Sequence, residues 1–150
     1  MGQSLAKIYV HITFSTKQRY PFIDNDIKAR LFDYLGGVCK ELECYPVQIG
    51  GYHDHVHILC LLSRKVALVQ LVEAIKKGSS KWIKGINPQY SKFYWQEGYG
   101  VFSVSPKQID KVTAYILNQE EHHKKQAFQD ELRTFLNQYR IEYDERYVWD

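Results

Sequence analysis

Two short stretches alternate with a period of two, and together they constrain the fold more than anything else in the chain. Residues 7–15, KIYVHITFS, place Ile8, Val10, Ile12 and Phe14 on one side and Tyr9, His11 and Thr13 on the other. That is the pattern of a strand with one buried face. HVHILCLL at 55–62 is a second strand, with Val56, Ile58 and Cys60 sharing a face directed at a core. PVQIGGY from Pro46 is a third, joined to it by GYHD as a tight hairpin turn. GVFSVS at 100–105 is a fourth.

Helical spacing fills the gaps. Asp24 or Asn25 can cap a helix to about Glu43, with Ile27, Leu31, Tyr34, Leu35 and Val38 as its apolar stripe and Gly36-Gly37 as a weak middle. Ala67 to Lys84 is a helix on Leu68, Leu71, Val72 and Ile75, with Gly78 and Ser79-Ser80 as a place to bend. Ser105 as cap and Pro106 at the first position start a helix expected to reach about Lys124. A last helix covers roughly Ala127 to Tyr139. The order β-α-β-β-α-β followed by two helices is the split βαβ pattern. The expected class is α+β: a ferredoxin-like antiparallel sheet with helices on one face and extra C-terminal helices, in a single domain over 1–150.

Net charge is only +3, but between Arg64 and Lys92 there are seven basic residues against one acid, Glu73. Such a cluster suits either a polyanion partner or a solvated helix face. Lys76, Lys77, Lys81, Lys84 and Lys92 can contact phosphates, and Trp82, Tyr94, Trp95 and Tyr99 lie among them for stacking on unpaired bases. Trp82 and Trp95 are equally candidates for the core. No run of 18 uncharged apolar residues exists, so no membrane span is expected. The N-terminal segment lacks a basic region and cleavage site, so no secretion signal is expected there. Cys39, Cys44 and Cys60 cannot all pair and show no CxxC spacing, which suits reduced thiols in a cytoplasmic protein.

His55 and His57 share a strand face. Two adjacent imidazoles chelate a divalent metal, or serve as half-exposed hydrogen-bonding groups. On the Pro106 helix, Tyr115 flanks the Ile109, Val112 and Ile116 stripe, with Gln119 and His122 one and two turns on. Gln119 can complete an N,N,O ligand set, which suits Mg²⁺ or Mn²⁺ better than zinc.

At these residues the sequence resembles the HUH transposases with a single catalytic tyrosine. These are of the small insertion-sequence type and include the tyrosine transposases associated with repetitive extragenic palindromes. HVH at 55–57 and YILNQ at 115–119 carry the likeness. VHITFST at 10–16, IKKGSSKWI at 75–83, WQEGYGVFSVS at 95–105 and NQEEHHKK at 118–125 extend it. The resemblance implies cleavage and rejoining of single-stranded DNA, with Tyr115 forming a 5′-phosphotyrosine and releasing a 3′-OH. It implies a metal on His55, His57 and Gln119 that polarises the scissile phosphate, and a hairpin as substrate. It also implies a homodimer in which the tyrosine helix of one subunit serves the metal site of the other. The C-terminal stripe Phe128, Leu132, Phe135, Leu136 and Tyr139 either supports that dimer or closes the chain's own core. His11 is expected near the site without ligating, His123 as a surface or helix-end charge, and His122 either there or on the substrate phosphate. Two other classes compete: a non-catalytic nucleic-acid-binding module, and a metal-dependent hydrolase that uses water.

Overall fold

The computed structural model describes residues 2–150. Four strands, β1 (Tyr9–Ser15), β2 (Pro46–Gly51), β3 (His55–Leu61) and β4 (Gly100–Val104), form one antiparallel sheet in the order β2-β3-β1-β4. This is the spatial order that the split βαβ topology demands. The register sets Thr13 opposite His57 and Ser15 opposite His55, so the polar residues of β1 and the two histidines share one face.

Helices α1 (Lys28–Glu41) and α2 (Leu68–Lys84) cover the other face. There Val10, Ile12, Phe14, Val56, Ile58 and Cys60 pack with Leu31, Leu35, Leu71 and Ile75 in the main core. Asp24 begins the entry to α1: its carboxylate accepts from the amides of Asp26 and Ile27, both at 3.1 Å, a side-chain turn that orders the approach. α2 runs unbroken through Gly78 and Ser79. Ser79 is buried, donates to the Ile75 carbonyl at 2.6 Å and accepts from the Trp95 indole at 2.9 Å, so the serine ties a core tryptophan to the helix instead of bending it. All three cysteines are free and buried. Among the described residues no helix is long and apolar enough to cross a membrane.

The extra C-terminal helices expected from the sequence occupy the second face. Three C-terminal helices lie over it: α3 (Ile109–Leu117), α4 (Gln119–His123) and α5 (Phe128–Gln138). Phe102 packs with Phe128, Leu132 and Leu136, and Leu59 and Val104 pack with Ile116. β1 is therefore buried on both faces from Val10 onward. The C-terminal apolar stripe closes the chain's own core.

The helix expected from Pro106 to Lys124 is broken. A single turn at Pro106–Gln108, capped by the Ser105 hydroxyl, leads into α3, and Asn118 interrupts the helix before α4. Gln119, the first residue of α4, is buried.

α3 reaches the sheet because position 50 has no side chain. A Cβ on Gly50 would lie 2.8 Å from both Ile116 Cγ2 and the Ile116 carbonyl oxygen. A backbone oxygen cannot swing aside, so α3 would have to lift. Gly50→Ala is expected to lower the unfolding free energy by about 1–3 kcal/mol, the usual cost of overpacking, as read by urea denaturation.

Candidate metal and nucleophile site

The inward-facing groups are gathered from five elements. β3 supplies His55 and His57, β1 supplies His11, and the α3–α4 corner supplies Tyr115, Gln119, His122 and His123. α5 supplies Glu131, which is buried. Both HxH histidines are fully buried rather than half-exposed.

His55 Nδ1 lies 2.7 Å from Asp54 Oδ1. A carboxylate there holds the ring proton on Nδ1 and leaves the Nε2 lone pair facing inward. That lone pair meets Gln119 Oε1 at 2.9 Å and Glu131 Oε1 at 3.6 Å. The amide orientation of Gln119 is set on its other side, where Nε2 faces the Tyr115 carbonyl and Glu131 Oε2, each at 3.4 Å. His57 Nε2 lies 2.9 Å from Glu131 Oε1, and its Nδ1 lies 2.7 Å from His11 Nε2. Lone pairs of two imidazoles, an amide and a carboxylate thus converge. A cation between them removes their mutual repulsion, so the donor set fits a divalent metal.

Ligand atoms of His55, His57, His123 and Glu131 all lie within 4.8 Å of one another. His123, expected at the surface, instead joins this cluster, with Nε2 3.1 Å from Glu131 Oε2. His11 is where expected, behind His57. Burial and the nearby His57 hold its pKa down to about 3 despite Glu131, so the ring is neutral and can accept a hydrogen bond from His57 Nδ1.

Tyr115 points into the same cluster. Its hydroxyl donates to Glu131 Oε2 and lies 3.2 Å from His122 Nε2, and its ring is 5.8 Å from that of His57. Burial, with Glu131 beside it, pushes the phenol well above its usual range. Burial would raise the pKa of Glu131, but His57, His123 and His55 outweigh it and hold the carboxyl well below the usual range. The hydroxyl and carboxylate open onto a cavity of about 550 Å³ between α3 and α5, lined in part by Val112, Phe135, Tyr139 and Lys111.

The residues expected on DNA are elsewhere. Lys76, Lys77, Lys81, Trp82 and Lys84 all lie on α2, across the sheet from the histidines. Lys76 is corrected from a phosphate contact to a structural clamp. Its ammonium donates to the carbonyls of Gln96, Glu97 and Gly98 at 2.8, 2.9 and 2.6 Å, and burial lowers its pKa to about 8. Trp82 stacks on Tyr34 with ring centroids 4.9 Å apart, and the Lys84 ammonium sits 3.8 Å from the Tyr94 ring centroid. Lys77 and Lys81 are the exposed pair. Trp95 is core.

Glu131 was not found from the sequence. Its trace there is a charge inside the stripe Phe128, Leu132, Phe135 and Leu136, at helical spacing. A carboxylate on a face that must be buried needs a partner.

A ferredoxin-like sheet with a histidine pair, a tyrosine, an amide and a carboxylate gathered on one face is a framework able to hold a metal ion beside a hydroxyl. The comparisons with known proteins agree. A model of the family "transposase IS200 like" matches residues 4–119. The chain belongs to the IS200-like transposases, a family of DNA-processing enzymes. A crystal structure from Deinococcus radiodurans R1, itself assigned as a transposase, superposes with a TM-score of 0.63 at 22% identity, over 79% of this chain and 96% of that one. The structure of a REP-associated tyrosine transposase bound to a REP hairpin superposes with a TM-score of 0.62 at 15% identity, over 82% of this chain and 73% of that one. No curated protein matches. At these identities the superpositions speak for the fold.

Proposed function

We propose that the protein cleaves and rejoins single-stranded DNA, with Tyr115 as nucleophile and Mg²⁺ or Mn²⁺ held by His55, His57 and Gln119. The observation that carries this reading is the position of the Tyr115 hydroxyl, inside the histidine cluster and open to the cavity. The ion, when bound, withdraws charge from the scissile phosphate and lowers the barrier to attack. Tyr115 Oη forms the new bond to phosphorus as the bond to the 3′ oxygen breaks. The phenol proton lost is balanced by the proton the 3′ oxygen gains, so no water is consumed. The phosphotyrosine keeps the bond energy for rejoining. Asp54 fixes the tautomer of His55, and His11 sits behind His57. A hairpin substrate is supported by the REP hairpin in the tyrosine transposase of similar fold.

Tyr115 lies against the histidines of its own chain, held there by α3 on Gly50. We therefore read the site as complete within one chain. The exchange of tyrosine helices in a homodimer, which the resemblance implies, would first have to lift α3 from the sheet. The test of function is incubation with a single-stranded hairpin and Mn²⁺. A denaturant-resistant protein–DNA adduct supports the reading. Cleavage with no adduct overturns it in favour of water, and binding with neither overturns it in favour of a passive module.

Lys77 and Lys81 lie on the opposite face and are read as a grip on the hairpin away from the cleaved bond. Lys77→Ala and Lys81→Ala are each expected to reduce the log–log salt slope of hairpin binding by about 0.7, one released counterion on a single strand. Fluorescence anisotropy across a salt series checks this. An unchanged slope in both variants removes α2 from the DNA surface.

A further inference from the structure

We propose that Glu131 is itself a ligand of the divalent ion and holds Tyr115 beside it, which makes the C-terminal helix α5 part of the catalytic site. This rests on the reading of His55 and His57 as metal ligands and adds to it a residue beyond 4–119, the span of the family match.

A buried carboxylate needs a compensating cation. Glu131 is 2% exposed, and among the described residues its ion-pair partners are four imidazoles, His55, His57, His122 and His123, with no lysine or arginine. A divalent ion held among these groups would supply the positive charge at the carboxylate itself.

The spacing supplies the second argument. Bonds of about 2.1 Å in an octahedral site place adjacent ligand atoms about 3 Å apart. Glu131 Oε1 is 2.9 Å from His57 Nε2 and 3.6 Å from His55 Nε2, and Gln119 Oε1 is 2.9 Å from His55 Nε2. These separations are those expected between adjacent ligand atoms, so Glu131 Oε1 would be placed to join His55, His57 and Gln119 on one ion.

The two carboxylate oxygens divide the work. Oε1 faces the metal ligands, while Oε2 accepts from the Tyr115 hydroxyl and lies 3.1 Å from His123 Nε2. One side chain therefore sets the distance between nucleophile and ion, and its negative charge raises affinity for a divalent cation over that of a neutral His, His, Gln set.

The test uses Mn²⁺ alone, without DNA, followed by electron paramagnetic resonance. Glu131→Gln keeps the volume and removes the charge, and it is expected to weaken Mn²⁺ binding at least about tenfold. In wild type, Mn²⁺ should also slow amide exchange along α5. That protection should vanish in Glu131→Gln, because α5 supplies no other member of the His/Glu cluster. Wild-type affinity in Glu131→Gln, or Mn²⁺ that leaves α5 exchange unchanged in wild type, overturns the proposal. If Glu131→Gln does not fold, Glu131→Asp decides. A ligand drawn back by one methylene loses affinity, whereas a carboxylate serving only to balance buried imidazoles keeps it. The outcomes separate cleanly from the function. A wild-type protein that forms the DNA adduct while Glu131→Gln binds Mn²⁺ normally overturns the Glu131 assignment alone. One that binds Mn²⁺ through Glu131 yet forms no adduct overturns the tyrosine chemistry alone.

Discussion

Tyr115→Phe is expected to abolish the covalent protein–DNA adduct, a loss of at least about a thousandfold, as when a covalent nucleophile is removed elsewhere. The change deletes one oxygen. Its partners, Glu131 and His122, stay in place, and Glu131 keeps its contacts to His57 and His123. The stability change should stay within about 1 kcal/mol, the net worth of a typical hydrogen bond. The ring contact to His57 and the packing beside Phe135 survive. Hairpin affinity should therefore be unchanged while joining stops. The measurement is a denaturing gel with end-labelled hairpin, alongside a thermal melt. Adduct formed by Tyr115→Phe would show that another group attacks the phosphate.

The sheet was legible because strand alternation is a local signal: the residues that fix β1 and β3 are neighbours in sequence, and their polar partners follow by parity. His55 and His57 follow from strand parity, Tyr115 and Gln119 from helical spacing and the family resemblance, and the structure brings all four together. What stayed hidden depends on contacts distant in the chain. Glu131 meets His57 across 74 residues, and nothing in a helical stripe announces which strand it will cover. The break at Asn118 is not marked by proline or glycine. Lys76 read as one of several exposed lysines. Its three carbonyl partners lie 20 to 22 residues away in the 96–98 loop, with no pattern that points to them. The second buried face of β1 was missed for a related reason. His11 and Thr13 are polar, and polarity signals solvent unless a helix with polar groups of its own comes to meet them.

His57→Ala should remove metal-dependent cleavage altogether, with Mn²⁺ affinity falling by more than about a hundredfold, beyond the loss expected for a residue behind a ligand. His57 is where parts of the site join: it meets Glu131 through Nε2, the atom proposed to hold the ion, and His11 through Nδ1. Truncation leaves His11 without that partner and opens a void in a fully buried place. Some loss of stability will accompany the loss of activity, and a thermal melt must show that the variant is folded at the assay temperature. Excess Mn²⁺ should not rescue it, whereas Gln119→Ala, which keeps both imidazoles, should recover in part. Full activity in EDTA would remove the metal from the mechanism. The same variant also decides between one chain and two. Mixed with Tyr115→Phe, a site shared between subunits would regain activity, with adduct only on the His57→Ala chain, which keeps its tyrosine. With tyrosine and histidines already joined inside one chain, the mixture should stay inactive.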